Sequence, residues 1–205
     1  MEITAQMIKE LREKTSAGIM DCKGALKDTG GDVDKAITEL RKKGLAAAEK
    51  KAGRATSEGL IHAYIHAGGR IGVLIEVNCE TDFVSRTPEF EEFVHNLAMH
   101  VAAAEPRYVS KDDVTEEDLE REREIFAEQA RATGKPENVI EKIVDGKMSK
   151  FYSQVCMLEQ PFIKDPDKTV GTLVKEAIAS FGENMRVERF VRFKLGEDSV
   201  QEKSC

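Results

Sequence analysis

Apolar positions change their period along this chain, and each change marks a boundary. In the first 50 residues they recur at helical spacing in three short runs. Met7, Ile8 and Leu11 form one stripe behind Thr4, a residue type that caps helix starts. Thr15-Ser16-Ala17-Gly18 breaks that helix. Asp21 is placed to start a second, with Cys22, Ala25 and Leu26 on one face. Gly30-Gly31 ends it, and Asp32 can cap a third helix carrying Val33, Ala36, Ile37 and Leu40. Three helices in so few residues have a marginal core, the kind of unit that serves for docking. Lys42 to Arg54, rich in Lys and Ala, extends the third helix into a linker.

After the linker the period changes to that of strands. Leu60 to Ile65 and Ile71 to Val77 flank Ala67-Gly68-Gly69-Arg70, a hairpin signal. Pro88 suits a first helical position, and Phe90, Phe93, Val94, Leu97, Ala98 and Val101 follow at helical spacing until Pro106. Thr115 to Arg131 and Pro136 to Tyr152 predict two helices joined through Thr133-Gly134-Lys135. The first is heavily charged, with a thin apolar stripe of Leu119, Phe126 and Ala130, so the pair reads as a projecting hairpin. Pro161 and Pro166 bracket a loop, Val170 to Phe181 is a helix, and Arg186 to Leu195 is a final strand. The fold class is α+β: a helical head, a small antiparallel sheet with packed helices, and an inserted helical hairpin.

Composition narrows the function. The 205 residues are 40% hydrophobic and 34% charged, with no Trp and a formal net charge of −7. That charge disfavours a general grip on nucleic acid, because such affinity comes mostly from Lys and Arg neutralising phosphates. The charge is uneven: in residues 1–55 Lys and Arg outnumber Asp and Glu by 12 to 9, and beyond them they are outnumbered 29 to 19. A basic head on an acidic body suits a protein partner, and it equally suits a merely solvated surface. No run of 18 apolar residues exists to span a membrane, and the start lacks a signal or transit pattern. Cys22, Cys79, Cys156 and Cys205 lie far apart without metal-ligand spacing. The plain reading is a reduced, cytoplasmic protein.

Enzyme signatures are missing. There is no GxxxxGK[ST], and Gly68, Gly69 and Gly72 sit in a hairpin without making GxGxxG. HExxH, CxxC and GxSxG are also absent. His62 and His66 share a strand face by alternation, so a metal pair there is conceivable. His95 and His100, five apart on a helix, are poorly spaced for one site. No local pattern supports a Cys79–His pair.

Two segments stand out. Leu11 to Leu26 carries Ile19 and Met20 in an inter-helix turn. Large apolar groups there either tuck into the small core or face a partner, and Met suits adaptable binding surfaces. The residues alone favour the core. Glu76-Val77-Asn78-Cys79-Glu80 runs straight into Thr81-Asp82-Phe83-Val84-Ser85. On residue types alone, Thr81 or Asp82 caps the next helix and Phe83 packs beneath it.

Both segments resemble, nearly residue for residue, the two signature motifs of the translation elongation factor Ts family. The likeness runs from Met1 to about Gly196 and includes Met99 to Ala103, Met148 to Phe151 and Gln160-Pro161-Phe162. It implies an exchange factor, without covalent chemistry or a cofactor of its own, that promotes GDP release from elongation factor Tu. It implies a ubiquitin-associated-like docking module at residues 1–50, a linker at 51–56, and an α+β core at 57–111 and 161–196. A helical (coiled-coil) hairpin at 112–160 and a flexible tail at 197–205 complete the division. Leu11, Arg12, Ile19, Met20 and His66 become partner-binding residues. Asp82 and Phe83, completed by Thr81 and Val84, become the wedge that disturbs the partner's magnesium and phosphate sites. Only one sheet-and-helix core unit is present, as in the family's short form, which implies a homodimer; Cys205 can cross-link one, but a reducing cytosol favours a free thiol there. Two other readings are a polypeptide-binding module using the helical head, and an enzyme using Cys79 or Cys22.

Overall fold

A computed structural model describes residues 3–15 and 17–197; Ser16, Cys205 and most of the expected tail lie outside them. The head folds as three helices, α1 (Ala5–Thr15), α2 (Ile19–Asp28) and α3 (Val33–Lys51). Thr4 and Asp32 act as expected: Thr4 accepts the N–H of Met7 at 3.3 Å and Asp32 that of Lys35 at 3.0 Å. The stripes meet in one small core of Leu11, Cys22, Ala25, Leu26, Ala36 and Leu40. One boundary differs from expectation. The second helix starts at Ile19 with Gly18 as its N-cap, so Ile19 and Met20 are its first residues and Asp21 lies within its first turn. An acidic side chain is favoured there by the helix dipole, whether or not it is the cap.

The hairpin strands are β1 (Glu58–Ile65) and β2 (Ile71–Cys79), and with β5 (Met185–Lys194) they form a sheet ordered β1-β2-β5. The turn is closed by His66 N–H donating to the Ile71 carbonyl and Gly69 N–H to the His66 carbonyl, each at 2.9 Å. Leu195 N–H donates to the Arg70 carbonyl at 2.8 Å, so the end of β5 lies by the start of β2, antiparallel. Between strand ends and helices come α4 (Asp82–Ser85), α5 (Pro88–Ala104), α6 (Glu116–Arg131), α7 (Glu137–Val155) and α8 (Val170–Phe181). Pro161 and Pro166 do not bracket a loop. They lie in a short ribbon, β3 (Pro161–Phe162) paired antiparallel with β4 (Asp165–Thr169), which buries Phe162. Both prolines are compatible with the edges of a two-stranded ribbon, where few ladder donors are required.

The chain divides into two compact units. One gathers the described residues of Met1–Leu60 with Val77–Phe90 and Thr172–Arg186. Within it the second half of α3 is not a free linker: Arg41 pairs with Glu176 at 3.0 Å, and Lys51 donates to the Gly182 carbonyl at 2.7 Å. Gly44 permits this approach, since a Cβ there would lie 3.1 Å from that of Ala179. The other unit gathers the described residues of Ile61–Glu76, Glu91–Gly171 and Val187–Cys205. There α6 and α7 pair as the predicted hairpin around Ala130, Ile140, Val144, Met148 and Phe151. Helix α5 ends at Ala104, before Glu105 turns left-handed at φ 51°. A residue preceding proline is disfavoured in the helical region, and Arg192 holds this one through the Ala102 carbonyl and the Glu105 carboxylate.

Candidate partner-binding site

Strand β2 buries Val73, Ile75, Val77 and Cys79 on one side, which fixes where the following residues begin. Thr81 is extended (φ −131°, ψ 155°) and stands at the N-cap of α4, but its side chain caps nothing. Instead Thr81 Oγ1 donates to Glu183 at 2.6 Å, and Thr81 N–H donates to the other oxygen of that carboxylate at 3.0 Å. The neighbouring pair is tied likewise. Asn184 N–H donates to Glu80 at 2.6 Å, and its side-chain amide donates to the Arg54 carbonyl at 2.7 Å. Three of these ties hold the entry to α4 against the loop between α8 and β5, and the fourth joins that loop to Arg54, between α3 and β1. The turn they anchor presents Phe83 with 84% of its surface exposed. The helix start expected from Thr81 is present; packing of Phe83 beneath it is not. Four residues make barely one turn, too little to bury a side chain on its own account.

Asp82 is not a bare anion. Its carboxylate pairs with Arg86 one turn on, at 2.8 Å, with both groups partly exposed. Such exposed pairs contribute about 0–1 kcal/mol, so a partner can take either member at small cost. Val84 is partly covered. In the same unit Ile19 and Met20 are 55% and 76% exposed, so the preference for a core position fails for both. They occupy the first turn of a helix whose inward face is already filled by Cys22, Ala25 and Leu26. Arg12 is exposed. Leu11 is not: it is fully buried in the head core. A direct partner contact through Leu11 is therefore replaced by a packing role beneath the exposed surface.

The histidines regroup. His66 is exposed at the hairpin turn with Nδ1 2.8 Å from Tyr64 Oη, whereas His62 Nε2 lies 3.0 Å from His95 Nδ1. His62 and His66 therefore do not form a metal pair, and no three His, Cys, Asp or Glu side chains converge on a metal position among the described residues. Burial, with the nearby His95, holds the His62 pKa below its usual value. His100 is buried, with Nε2 2.9 Å from Gln160 Oε1. The Gln160 amide nitrogen donates to the carbonyls of Ala104 and Gln154, so its oxygen must accept from His100. Nε2 then carries the proton, and the buried Nδ1 has no protein partner. Burial lowers the pKa of His100. Cys79 Sγ donates to the Thr81 carbonyl at 3.2 Å, and burial raises its pKa, an unfavourable setting for a nucleophilic thiolate. Cys156 is pushed up to about 11, again chiefly by burial.

Sequence reasoning missed Glu183, Glu80 and Asn184. Their partners lie about a hundred residues away, and no local pattern announces them. Arg86 was missed as well, although its i+4 spacing from Asp82 was a local signal that could have found it.

A tethered turn exposes one large apolar residue, and the helical head in the same compact unit exposes two more, surface of the kind that marks contact with another protein. Comparison with known proteins places the chain among the translation elongation factors. The family described as Elongation factor TS matches residues 2–197, and this chain belongs to it. It is 59% identical to "Elongation factor Ts" of Geobacter sulfurreducens over 204 residues, covering 100% of this chain and 94% of that one. The like-named protein of Moorella thermoacetica is 60% identical over 199 residues, covering 97% and 98% of the two chains. No helix among the described residues is long and apolar enough to cross a membrane.

Proposed function

We propose that this chain is a guanine-nucleotide exchange factor that binds elongation factor Tu·GDP in the cytoplasm and promotes GDP release. The observation that carries the reading is the exposure of Phe83 on a turn pinned at its base by Thr81 and Glu183. A large apolar side chain held outward loses its water only when a partner covers it, and full burial of a Phe is worth about 1.5–3 kcal/mol. Pinning the turn beforehand means that little ordering is left to do on binding. Asp82 supplies an anion one residue away that can leave Arg86 for a cationic or hydrogen-bonding group on the partner.

Tight binding by itself does not release a nucleotide. The factor must bind the nucleotide-free partner better than the loaded one, and the coupling is reciprocal, so incoming nucleotide expels the factor. Bound GDP is held by phosphate–amide contacts and by Mg²⁺ neutralising its charge. Phe83 entering the partner, with Asp82 beside it, disturbs those two sites; each ~1.4 kcal/mol of disturbance is worth about tenfold in nucleotide affinity. The head docks separately through Ile19, Met20 and Arg12, and His66 makes a further contact. The chain performs no bond chemistry of its own in this scheme. The test is release of fluorescent GDP from elongation factor Tu with and without the chain. Acceleration by catalytic amounts supports the reading; an unchanged release rate at saturating chain eliminates it.

We further infer a homodimer. Ile61, Ile65, Leu74, Val191, Phe193 and Leu195 are exposed on the sheet strands or just beyond β5. They share a face: Ile65 lies over Gly72, and Arg189 pairs with Glu76 at 2.8 Å across β2 and β5 on the side that carries Leu74 and Val191. A contiguous apolar face of this kind favours coverage by another protein surface, and a second copy supplies a further sheet-and-helix unit beside the one the described residues form.

A further inference from the structure

His66 stands where the β1–β2 hairpin turns, its backbone fixed by the two hydrogen bonds that close the turn. Its ring is not left to rotate. Strand alternation puts Tyr64 on the same side, and Tyr64 Oη lies 2.8 Å from His66 Nδ1. The Tyr64 ring meets His95 edge-on, with centroids 5.3 Å apart and planes at 84°. His95 is fixed in turn by His62, at 3.0 Å between ring nitrogens. A run of four rings therefore reaches from α5 to the hairpin turn, and only its last member belongs to the function proposed above.

We propose that Tyr64 is a positioning residue for His66, with His95 and His62 as its support. This rests on the assignment of His66 to partner contact. A neutral imidazole has one nitrogen that donates and one that accepts. A phenol O–H is the stronger donor and a bare imidazole nitrogen the stronger acceptor, so we assign the phenol to donate to Nδ1; the proton then sits on Nε2, and His66 meets its partner as a donor aimed at a carbonyl or carboxylate oxygen. The hydrogen bond on the inner nitrogen sets both tautomer and ring direction before the partner arrives.

Two measurements on the full chain test this. In the first, release of fluorescent GDP from elongation factor Tu is followed against factor concentration, which separates half-saturation from maximal rate. Tyr64→Phe should raise the half-saturating concentration roughly threefold to tenfold, the worth of one hydrogen bond, and leave the maximal rate unchanged. His66→Ala should raise it at least as much, and the double variant should be no worse than His66→Ala alone. Equal affinity of Tyr64→Phe and the unaltered chain, or additive losses in the double variant, would overturn the proposal. The second measurement is the nitrogen NMR spectrum of the histidine rings, in which His66 should show the Nε2–H tautomer and lose that preference in Tyr64→Phe. An unchanged His66 signal overturns the positioning role even when His66→Ala weakens binding. An unchanged half-saturation in His66→Ala instead removes the partner contact, and the proposal with it.

Discussion

Thr81 and Glu183 are 102 residues apart in sequence and share two hydrogen bonds, from the Thr81 hydroxyl at 2.6 Å and its backbone N–H at 3.0 Å. Both bonds end on a carboxylate, so both are of the stronger, charge-assisted kind. Glu183→Ala should therefore cost about 1–3 kcal/mol of stability, read from urea unfolding. It should also slow GDP release more than Glu183→Gln does, since the amide still accepts one of the two bonds. Equal exchange rates for Glu183→Ala and the unaltered chain would show that the tie is structural only.

Phe83→Ala and Asp82→Ala should slow release of GDP from elongation factor Tu. Phe83 is exposed and makes little of the fold, so its truncation should shift unfolding by no more than about 0.5 kcal/mol. Measuring both quantities on the same samples separates a working tip from a packing residue. Normal exchange rates in both variants would remove the wedge.

Gly59 sits in β1 where a Cβ would lie 2.4 Å from the Val77 carbonyl oxygen and 2.8 Å from Asn78 Cα. Backbone cannot yield as a flexible side chain does. Gly59→Ala should cost about 1–3 kcal/mol, the range for overpacking. Gly68→Ala, where nothing lies within 4 Å but φ is +89°, should cost less, by conformational strain alone. Thermal unfolding of the two variants ranks them.

His100 sets an acid limit on stability. A free imidazole takes up its proton near 6.5, and burial holds His100 below that value. As pH falls through 6.5 the unfolded chain gains a proton that the folded chain refuses. The contribution is thus fully present above 6.5 and is lost on going down toward the folded-state value. His62, also lowered, acts in the same direction. Stability measured in urea should fall between pH 7.5 and 5.5, and His100→Gln, which has no such proton to gain, should show a smaller fall. An identical pH dependence in that variant would rule out His100 as the cause.

Phe193→Glu puts a charge on the exposed sheet face, near the end of the edge strand β5, where Phe193 is 70% exposed. Light scattering coupled to gel filtration should find two chains per particle for the unaltered protein and one for the variant. A fully active protein that is monomeric throughout would remove the homodimer.

Local pattern carried a large share of this protein. The head stripes, the caps at Thr4 and Asp32, the glycine hairpin and the run of α8 are all set by interactions within a few residues, so period and capping chemistry were enough to read them. The segment from Thr81 to Val84 also stood out locally, as a break after a buried strand, but local chemistry read Phe83 as packed, and its role as a wedge came only from the resemblance to a family. Tertiary structure decided what such local rules leave open. It buried Leu11 and exposed Ile19 and Met20, because the inward face of α2 was already full. It left Phe83 outward, on a four-residue turn too short to bury it and tied at its base to Glu183. It joined His62 to His95 and His66 to Tyr64, where alternation alone had paired the two histidines of one strand. Each of these outcomes depends on a partner that is distant in sequence or on competition for a fixed amount of buried space. Neither is encoded in the period of a segment.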